Sequence, residues 1–314
     1  MSAPVVVLAG GTGGAKLARG MLDVVSGDEL VVIANTGDDV ELCGAYVAPD
    51  PDLITFWLAD RIDARGWGLV DDTFEVMDGL RALGVEVWFN LGDRDLAIGI
   101  ERARALERGE RLTQAVASVA RALGVSARVL PMSDRPVRTR VLAGGRWWAF
   151  QEFMIRTRGR GPVEGVEFRG AAGAPVTPEA LAAIAQARAV IIGPSNPIVS
   201  IGPILATRGV QDALARSQAP IVAVSPLVRG DVLKGPTAAF MHWAGHPVSS
   251  EGIAAAYAGL LDGLVADEAA SRLPTLETDV LMDTAVRRRQ VAETTLEFAL
   301  ALPARADRAR RTSG

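Results

Sequence analysis

Residues 5–22 read VVVLAGGTGGAKLARGML. The first five side chains are apolar and mostly β-branched, and glycines end the run at once, as in a short buried strand. Apolar residues then recur at helical spacing within residues 14–25, at Leu17 and Met21. Residues 30–34 form a second apolar run, so the order strand, glycine turn, helix, strand predicts the start of a parallel α/β sheet.

The rest of the chain continues this pattern. Apolar runs without alternation are typical of strands covered on both faces, and they predict strands at 85–89, 128–130, 189–192 and 221–224. Helical spacing predicts helices at 72–83, 94–108, 112–123, 178–187, 249–266 and 285–301. Asp72 and Thr177 are expected to cap the first and the fourth of these helices. We therefore expect an α/β fold with a Rossmann-like parallel sheet and helices on both of its faces.

An insertion is expected to interrupt this body. Strand-like residues 137–142 and 146–150 flank the turn Ala143-Gly144-Gly145, which predicts a hairpin. The expected divisions are a Rossmann-like nucleotide-binding body at 1–133 and 171–302, an inserted hairpin subdomain at 134–170, and a disordered basic tail at 303–314.

The composition narrows the range of functions. The chain has 314 residues, with 33 Lys and Arg against 37 Asp and Glu, and a formal net charge of −4. It therefore lacks the broad basic surface of a general nucleic-acid binder. The single cysteine, Cys43, excludes an intramolecular disulfide and a cysteine-based zinc site. No signal peptide and no apolar run of roughly 20 residues is visible, so we expect a cytoplasmic protein without membrane contact.

The stretch Gly10–Gly14 is suited to binding an anion. Small residues between a strand and a helix let backbone N–H groups approach a phosphate, and the helix N-terminus adds partial positive charge. Lys16 stands where a dinucleotide fingerprint needs glycine, and it lacks the neighbours of a Walker A lysine. A tight turn without a ligand is the alternative, although an unbroken run of Gly and Thr exceeds what a turn needs.

Acidic residues follow the predicted strands. Asp38 and Asp39 come after the second strand and Asp52 somewhat later, whereas Asp93 and Arg94 follow the third strand. Ligands of open α/β sheets lie beyond the carboxyl ends of the strands, where these groups should converge. Carboxylates near a diphosphate favour Mg²⁺. For any one aspartate, the alternative is a helix cap or a position in a solvated turn. Arg94 fits a structural ion pair and a substrate-binding role equally well.

A second polar turn follows the strand expected at 189–192. Residues 193–197 read GPSNP, and the two prolines around Ser195 and Asn196 predict a stiff turn that displays hydroxyl and amide groups. Ser200 is expected to cap the next helix. A merely rigid connection is the alternative, and Lys234 is expected to add positive charge nearby.

Other chemistries have little support. His242 and His246 lack the glutamate of a zinc-protease motif, and the chain has no G-x-S-x-G elbow. The aromatic residues Trp147, Trp148, Phe150 and Phe153 of the predicted insertion form either a local mini-core or an apolar wall for a flat ring system.

Six motifs taken together resemble those of one family. They are Gly10–Lys16, Asn35–Asp39, Pro49–Asp52, Leu91–Ala97, Leu130–Asp134 and Gly193–Pro197. With the motifs in this order, over roughly residues 5–265, the chain resembles the 2-phospho-L-lactate transferase (CofD) family.

The resemblance implies a transferase in the biosynthesis of the deazaflavin coenzyme F-420. A guanosine diphosphate carrying phospholactate, phosphoenolpyruvate or 3-phosphoglycerate would donate the phospho-acid to the ribityl 5′-hydroxyl of the deazaflavin Fo, and GMP would leave. Mg²⁺ would be the cofactor, the partners would be these small molecules, and a homodimer is expected.

The resemblance also implies roles for single residues. The nucleotide would be bound by Gly11, Thr12, Gly13, Gly14, Lys16, Gly193, Ser195, Asn196 and Pro197. Fo would be bound by Asp52, Arg94 and Asp93, and Mg²⁺ by Asp38, Asp39 and Asp52. A carboxylate near the ribityl hydroxyl could accept its proton, and we expect Asp52 to be this catalytic group.

Two departures from the family pattern leave the donor open. Ile98-Gly99 stands where Thr-His is common after Asp-Leu-Ala, and residues 49–53 read PDPDL in place of the usual PDLDT. Three alternative functions are also open. They are a UDP-sugar-binding regulator of the same fold without catalysis, an NAD-dependent oxidoreductase, which Lys16 disfavours, and a non-catalytic interaction module.

Overall fold

The computed structural model describes residues 2–232, 235–303 and 305. Its strands are β1 Val5–Ala9, β2 Leu30–Ala34, β3 Val40–Leu42, β4 Ala45–Val47, β5 Arg128–Pro131, β6 Arg138–Ala143, β7 Arg146–Ala149, β8 Gly165–Arg169, β9 Ala189–Ile192, β10 Ile221–Val224, β11 Leu227–Val228, β12 Asp231–Val232, β13 Gly263–Ala266 and β14 Thr275–Glu277. Its α-helices are α1 Gly11–Leu22, α2 Pro49–Leu58, α3 Glu75–Ala82, α4 Asp93–Glu107, α5 Leu112–Ala122, α6 Phe150–Arg156, α7 Pro178–Gln186, α8 Gly202–Ala206, α9 Val210–Arg216, α10 Thr237–Trp243, α11 Ser250–Ala256 and α12 Ala285–Ala301.

Seven parallel strands form the central sheet, in the order β14-β13-β10-β9-β1-β2-β5. The chain first moves from β1 to β2 and β5 on one side, and then returns to the other side of β1 at β9. The strand order therefore reverses between β1 and β9, and ligands of open α/β sheets bind in the crevice at such a reversal. The predicted Rossmann-like sheet is confirmed.

Helices cover both faces of this sheet, as the apolar runs predicted. Val5 and Val7 of β1 face a core shared with α1, α2, α5 and α12. Val6 and Leu8 face the opposite core, which includes residues of α7, α8, α9, α10 and α11. All five residues of β1 are buried, which explains why the strand has no polar alternation.

Smaller antiparallel units lie outside the central sheet. The predicted hairpin is present as β6 and β7, and β8 adds a third strand on the other edge of β6. The helix α6 follows β7 directly. The division of the chain into body and inserted subdomain stays a prediction, and most of the predicted tail lies outside the described residues.

Two predicted elements are wrong. Residues 85–89 form no strand, because they pair with no neighbour and Val85 is exposed. The helix expected at 249–266 is only α11, because Gly259 adopts a positive φ of 76° and the chain then enters β13. No helix of the described residues is long and apolar enough to cross a membrane.

Candidate active site

A cleft of about 800 Å³ lies at the carboxyl ends of β1 and β9. Its lining includes two groups of residues with different chemistry. The glycine wall comprises Gly10–Gly13, Lys16 and Pro194–Asn196, and the aromatic wall comprises Trp67, Gly68, Trp88 and Phe89. Asp38, Asp50, Asp52 and Asp95 also line the cleft.

The glycine wall begins with the first turn of α1. The helix starts at Gly11, earlier than the sequence pattern indicated, so that most of the glycine-rich stretch is helical. The N-cap residue Gly10 has no side chain to cap this N-terminus and no acidic residue lies in the first turn, so that among the described residues only the Gly11 N–H has a side-chain partner, Asp50 of α2. The N–H groups of a first helical turn have no partner within the helix, and the helix dipole places partial positive charge beside them. This end of α1 is therefore suited to bind phosphate.

The two glycine-containing turns predicted to bind nucleotide are in direct contact. A Cβ atom added at Gly13 would lie 1.9 Å from the Pro194 carbonyl oxygen, and one at Gly14 would lie 2.7 Å from Ser195 Oγ. The Gly10 N–H also donates a hydrogen bond to Ser195 Oγ at 3.3 Å. Only glycine permits this close approach, which explains the composition of the stretch better than a simple turn does.

The turn after β9 is held by its own side chains. Asn196 Oδ1 accepts hydrogen bonds from the Ile198 and Val199 N–H groups, so that Asn196 caps the short π-helical turn Pro197–Ile201. The prediction that Ser200 caps the next helix is therefore wrong. Gly193 lies behind the cleft lining, where an added Cβ would be 3.0 Å from the Cα of Gly14.

Asp50 connects the glycine wall to β2, and no role was predicted for it. Its carboxylate accepts a hydrogen bond from the Gly11 N–H at 2.7 Å and another from Asn35 Nδ2 at 2.8 Å. Burial raises the pKa of Asp50 to about 6, although these two hydrogen bonds oppose the shift. The Pro49–Asp52 motif contained this signal, but the sequence could not tell which aspartate faces the glycines.

Asp38 lies beside Asp50. Burial, and next the charge of Asp50, raise the pKa of Asp38 well above its usual range. Its Oδ1 atom is buried and has no hydrogen-bond partner among the described residues. Two buried carboxyl groups next to a phosphate-binding helix end are suited to share a cation.

Asp39 does not line the cleft. Tyr46 Oη donates a hydrogen bond to it at 2.9 Å, and burial raises its pKa to about 8. Among the described residues no three His, Cys, Asp or Glu side chains are grouped so that they could hold a metal ion. The predicted set of Asp38, Asp39 and Asp52 is therefore not brought together.

Asp52 is paired with a buried arginine that the sequence did not reveal. Arg102 donates from Nη1 to Asp52 Oδ2 at 3.0 Å and to the Tyr46 carbonyl at 2.9 Å, and from Nη2 to Asp52 Oδ1. Residues two apart on a helix face different sides, which is why Asp50 and Asp52 of α2 have separate partners. Arg102 is 1% exposed. In the sequence it cannot be distinguished from the exposed arginines Arg104 of α4 and Arg108, which directly follows this helix.

Asp93 and Asp72 cap each other's helices. Asp93 accepts hydrogen bonds from the N–H groups of Glu75 and Val76 at the start of α3, whereas Asp72 accepts them from those of Arg94 and Asp95 at the start of α4. The prediction that Asp72 caps α3 is therefore wrong.

Arg94 has an exposed guanidinium, which donates to the Val70 carbonyl at 3.1 Å. Neither Arg94 nor Asp93 lines the cleft. Their predicted contacts with Fo stay predictions, and this geometry gives them no support.

The aromatic wall comes from segments without regular structure. Trp88 and Phe89 lie in the segment wrongly predicted as a strand, with ring centroids 5.5 Å apart. The Arg65 guanidinium lies over the Trp67 ring at 4.3 Å. Of the four aromatic residues predicted to form a mini-core or a ring wall, Phe150 lines the cleft, whereas Trp147, Trp148 and Phe153 do not. The hairpin instead contributes to a separate mini-core with Phe153 and Phe240.

The chain is similar to known proteins over most of its length. The family model described as "2-phospho-L-lactate transferase CofD" matches residues 5–297. The chain is 38% identical to the 2-phospho-L-lactate transferase of Methanosarcina mazei over 84% of this chain and 86% of that one, and 36% identical to that of Methanocaldococcus jannaschii over 94% and 97%. It is also 38% identical to the phosphoenolpyruvate transferase of Kitasatospora aureofaciens, over 84% of this chain and 85% of that protein.

A solved structure shares the fold. A UPF0052 family protein from Bacillus halodurans superposes with a TM-score of 0.61 at 16% identity, over 93% of this chain and 99% of that one. At this low identity the similarity concerns the fold alone.

Proposed function

We propose, from the premise that this chain belongs to the 2-phospho-L-lactate transferase CofD family, that it transfers a phospho-acid from a guanosine-diphosphate-linked donor to Fo. The family membership makes the chain a phosphotransferase with a role in coenzyme F-420 biosynthesis. The proposal adds the acceptor, the ribityl 5′-hydroxyl of Fo, and the leaving group, GMP.

One observation carries the proposal: the N-terminus of α1 and an aromatic wall line the same cleft. The glycine wall offers N–H groups to the diphosphate, and Lys16 lies on the same wall. Flat rings bind well against aromatic side chains, so we assign the deazaflavin ring to Trp67 and Trp88. A cleft with both walls can hold donor and acceptor at the same time, as direct transfer requires.

Mg²⁺ is proposed as the cofactor, held by Asp38 and Asp50 in place of the set predicted from the sequence. The buried and unpartnered Oδ1 of Asp38 fits such a role, and Mg²⁺ is commonly bound by one or two carboxylates plus phosphate oxygens. When bound it would neutralise charge on the diphosphate. The residues of the chain then have to bind the two substrates, exclude water and take up one proton.

The names of the relatives include two of the three candidate phospho-acids. Relatives of similar identity are named for 2-phospho-L-lactate and for phosphoenolpyruvate, so the choice depends on side chains that differ among them. The solved structure that shares the fold is 16% identical, so it favours neither the transferase nor the regulatory alternative. A homodimer also stays a prediction, which sedimentation velocity would test.

The test is a reconstituted assay. The protein would be incubated with Mg²⁺, Fo, GTP, the partner guanylyltransferase and, in turn, phospholactate, phosphoenolpyruvate or 3-phosphoglycerate, and products would be identified by mass. We expect one phospho-acid to give a phosphodiester of Fo together with GMP. Absence of product with all three, combined with thermal stabilisation by UDP-N-acetylglucosamine but not by GDP, would overturn the proposal in favour of a regulator.

A further inference from the structure

We infer that Asp95, and not Asp52, is the catalytic base that takes the proton from the acceptor hydroxyl, an inference that rests on the proposed function. Four carboxyl groups of the described residues line the cleft: Asp38, Asp50, Asp52 and Asp95. Asp50 is bonded to the glycine wall, and Asp38 lies next to it. The choice of base at the acceptor side is therefore between Asp52 and Asp95.

The Asp52 carboxylate already has a buried guanidinium as its partner. Both of its oxygens accept hydrogen bonds from Arg102, whose side chain is inaccessible to solvent. Two parallel hydrogen bonds to a guanidinium hold a carboxylate in one orientation. A proton arriving at Asp52 would have to displace a buried arginine from its partner, which is unfavourable. Asp52 is suited to orient a hydroxyl as a fixed acceptor, and Arg102 acts on the reaction only as its positioning residue.

Asp95 has the opposite character. It lies in the first turn of α4, and its Oδ1 atom is buried without any hydrogen-bond donor among the described residues. Its Oδ2 atom borders the aromatic wall, because a Cβ added at Gly68 would lie 3.4 Å from it. A buried oxygen without a donor is unfavourable unless a ligand supplies one. The hydroxyl of an acceptor whose ring binds at Trp67 and Trp88 is such a donor.

The charges around Asp95 also suit a base. Asp52 on α2, Asp72 before α3, Arg65 after α2 and Arg102 on α4 all face it. Burial, followed by the charges of Asp52 and Asp72, raises the pKa of Asp95 to about 7, against the opposing effect of the two arginines. A general base works best when its pKa is near the working pH, because it is then both ionised and able to hold a proton.

The acceptor oxygen forms a bond to the phosphorus that carries the acid, and its O–H bond breaks as the Asp95 carboxylate takes the proton. The bond between that phosphorus and the bridging oxygen breaks, and GMP leaves with the electron pair. Nothing is oxidised or reduced, and the product is a phosphodiester of the acceptor.

The experiment compares Asp95→Asn and Asp52→Asn with Glu101→Gln, a neutralised carboxylate on the exposed side of the same helix α4. We expect Asp95→Asn to keep the Kd for Fo within about threefold while kcat falls by at least about 100-fold, the usual range for loss of a general base. Asp52→Asn should mainly raise KM for Fo. Glu101→Gln should match the wild type.

A second variant keeps the test valid if Asp95→Asn fails to fold. Asp95→Glu retains a base and should recover at least about tenfold of the lost kcat, with a changed pH midpoint. Wild-type kcat in Asp95→Asn at saturating Fo, or equal kcat in the Asn and Glu variants, would overturn this inference alone. No product from the wild-type enzyme with any donor would overturn the proposed function, and this inference with it.

Discussion

The two walls of the cleft are built in different ways. The glycine wall lies at the ends of two central strands, and at Gly13 and Gly14 its parts are in such close contact that a side chain is excluded. The aromatic wall is made of side chains on segments outside the sheet, and Trp67 is 44% exposed. Within residues 71–86, which lie between Trp67 and Trp88, only Met77 is buried. The comparison indicates a rigid site for the reacting phosphates beside a ring site of lower local stability.

The largest effect is expected for the free energy of unfolding when Arg102 is replaced, because this residue holds the Asp52 carboxylate next to the aromatic wall. Arg102→Met leaves Asp52 without its buried partner, and we expect the free energy of unfolding to fall by about 3–5 kcal/mol. Urea denaturation would measure it. Arg108→Met, directly after α4, breaks only exposed ion pairs and should leave the denaturation midpoint unchanged. If both variants lost the same free energy of unfolding, the buried ion pair would stabilise the protein no more than the exposed pairs do.

Gly13→Ala tests the rigidity of the glycine wall. The new methyl group would meet the Pro194 carbonyl, so one turn must move and the phosphate site with it. We expect GDP affinity, measured by calorimetry, to fall by at least about 100-fold. Gly79→Ala is the control, because a Cβ at that helical position meets nothing within 4 Å. Unchanged GDP binding in a folded Gly13→Ala protein would contradict the rigid-site description.

Trp88→Ala tests the aromatic wall in the same way. Loss of one stacking surface should weaken Fo binding by about tenfold and leave GDP binding unaltered. The control is Trp243→Ala, which removes a tryptophan that is 39% exposed and lies outside the cleft lining. A parallel loss of GDP binding would mean that the two walls are not separate sites.

Asp95 should reduce stability at neutral pH. A carboxyl group whose pKa is raised on folding contributes stability below its unfolded pKa of 3.8, and that contribution is lost as pH rises through about 7. Asp95→Asn should therefore be more stable than the wild type at pH 8, by about 1 kcal/mol or more, with the advantage shrinking towards pH 4. Thermal unfolding at several pH values would measure this. A constant difference across pH would contradict it.

The smallest effect is expected where the aromatic wall is joined to α6. Arg156 pairs with Glu86 at 2.5 Å and its guanidinium lies 5.7 Å from the Trp88 ring centroid. Because the pair is exposed, Glu86→Gln should raise KM for Fo by only about twofold. The double variant Glu86→Gln and Arg156→Gln should show no further increase in KM for Fo. An additional loss in the double variant would show that Arg156 acts independently of Glu86.

The sequence revealed the glycine wall because its constraint is local. Close backbone contacts require glycine, and the stiff turn after β9 requires its prolines, so both left visible patterns. The fold followed from the same apolar runs. The short strands β13 and β14 were missed, because the residues of β13 were included in the helix expected at 249–266 and β14 has only three residues.

The aromatic wall and the charged residues near it could not be predicted from the sequence. Arg102 is ordinary among the charges of α4, and only tertiary packing makes it buried. Trp67 and Trp88 lie far apart in irregular segments, so that no periodic pattern joins them. Asp72 and Asp93 exchange caps between two helices, a pairing that neither local sequence contains. The cap of α3 was therefore assigned to the wrong aspartate.

The most direct test is a crystal structure of the protein with GDP and Fo bound together. We predict that the diphosphate lies against the first turn of α1 and the Pro194–Asn196 turn, with the deazaflavin ring against Trp67 and Trp88. The ribityl 5′-hydroxyl should then be within hydrogen-bond distance of Asp95. A ring bound at the glycine wall, or Fo bound outside this cleft, would contradict the account.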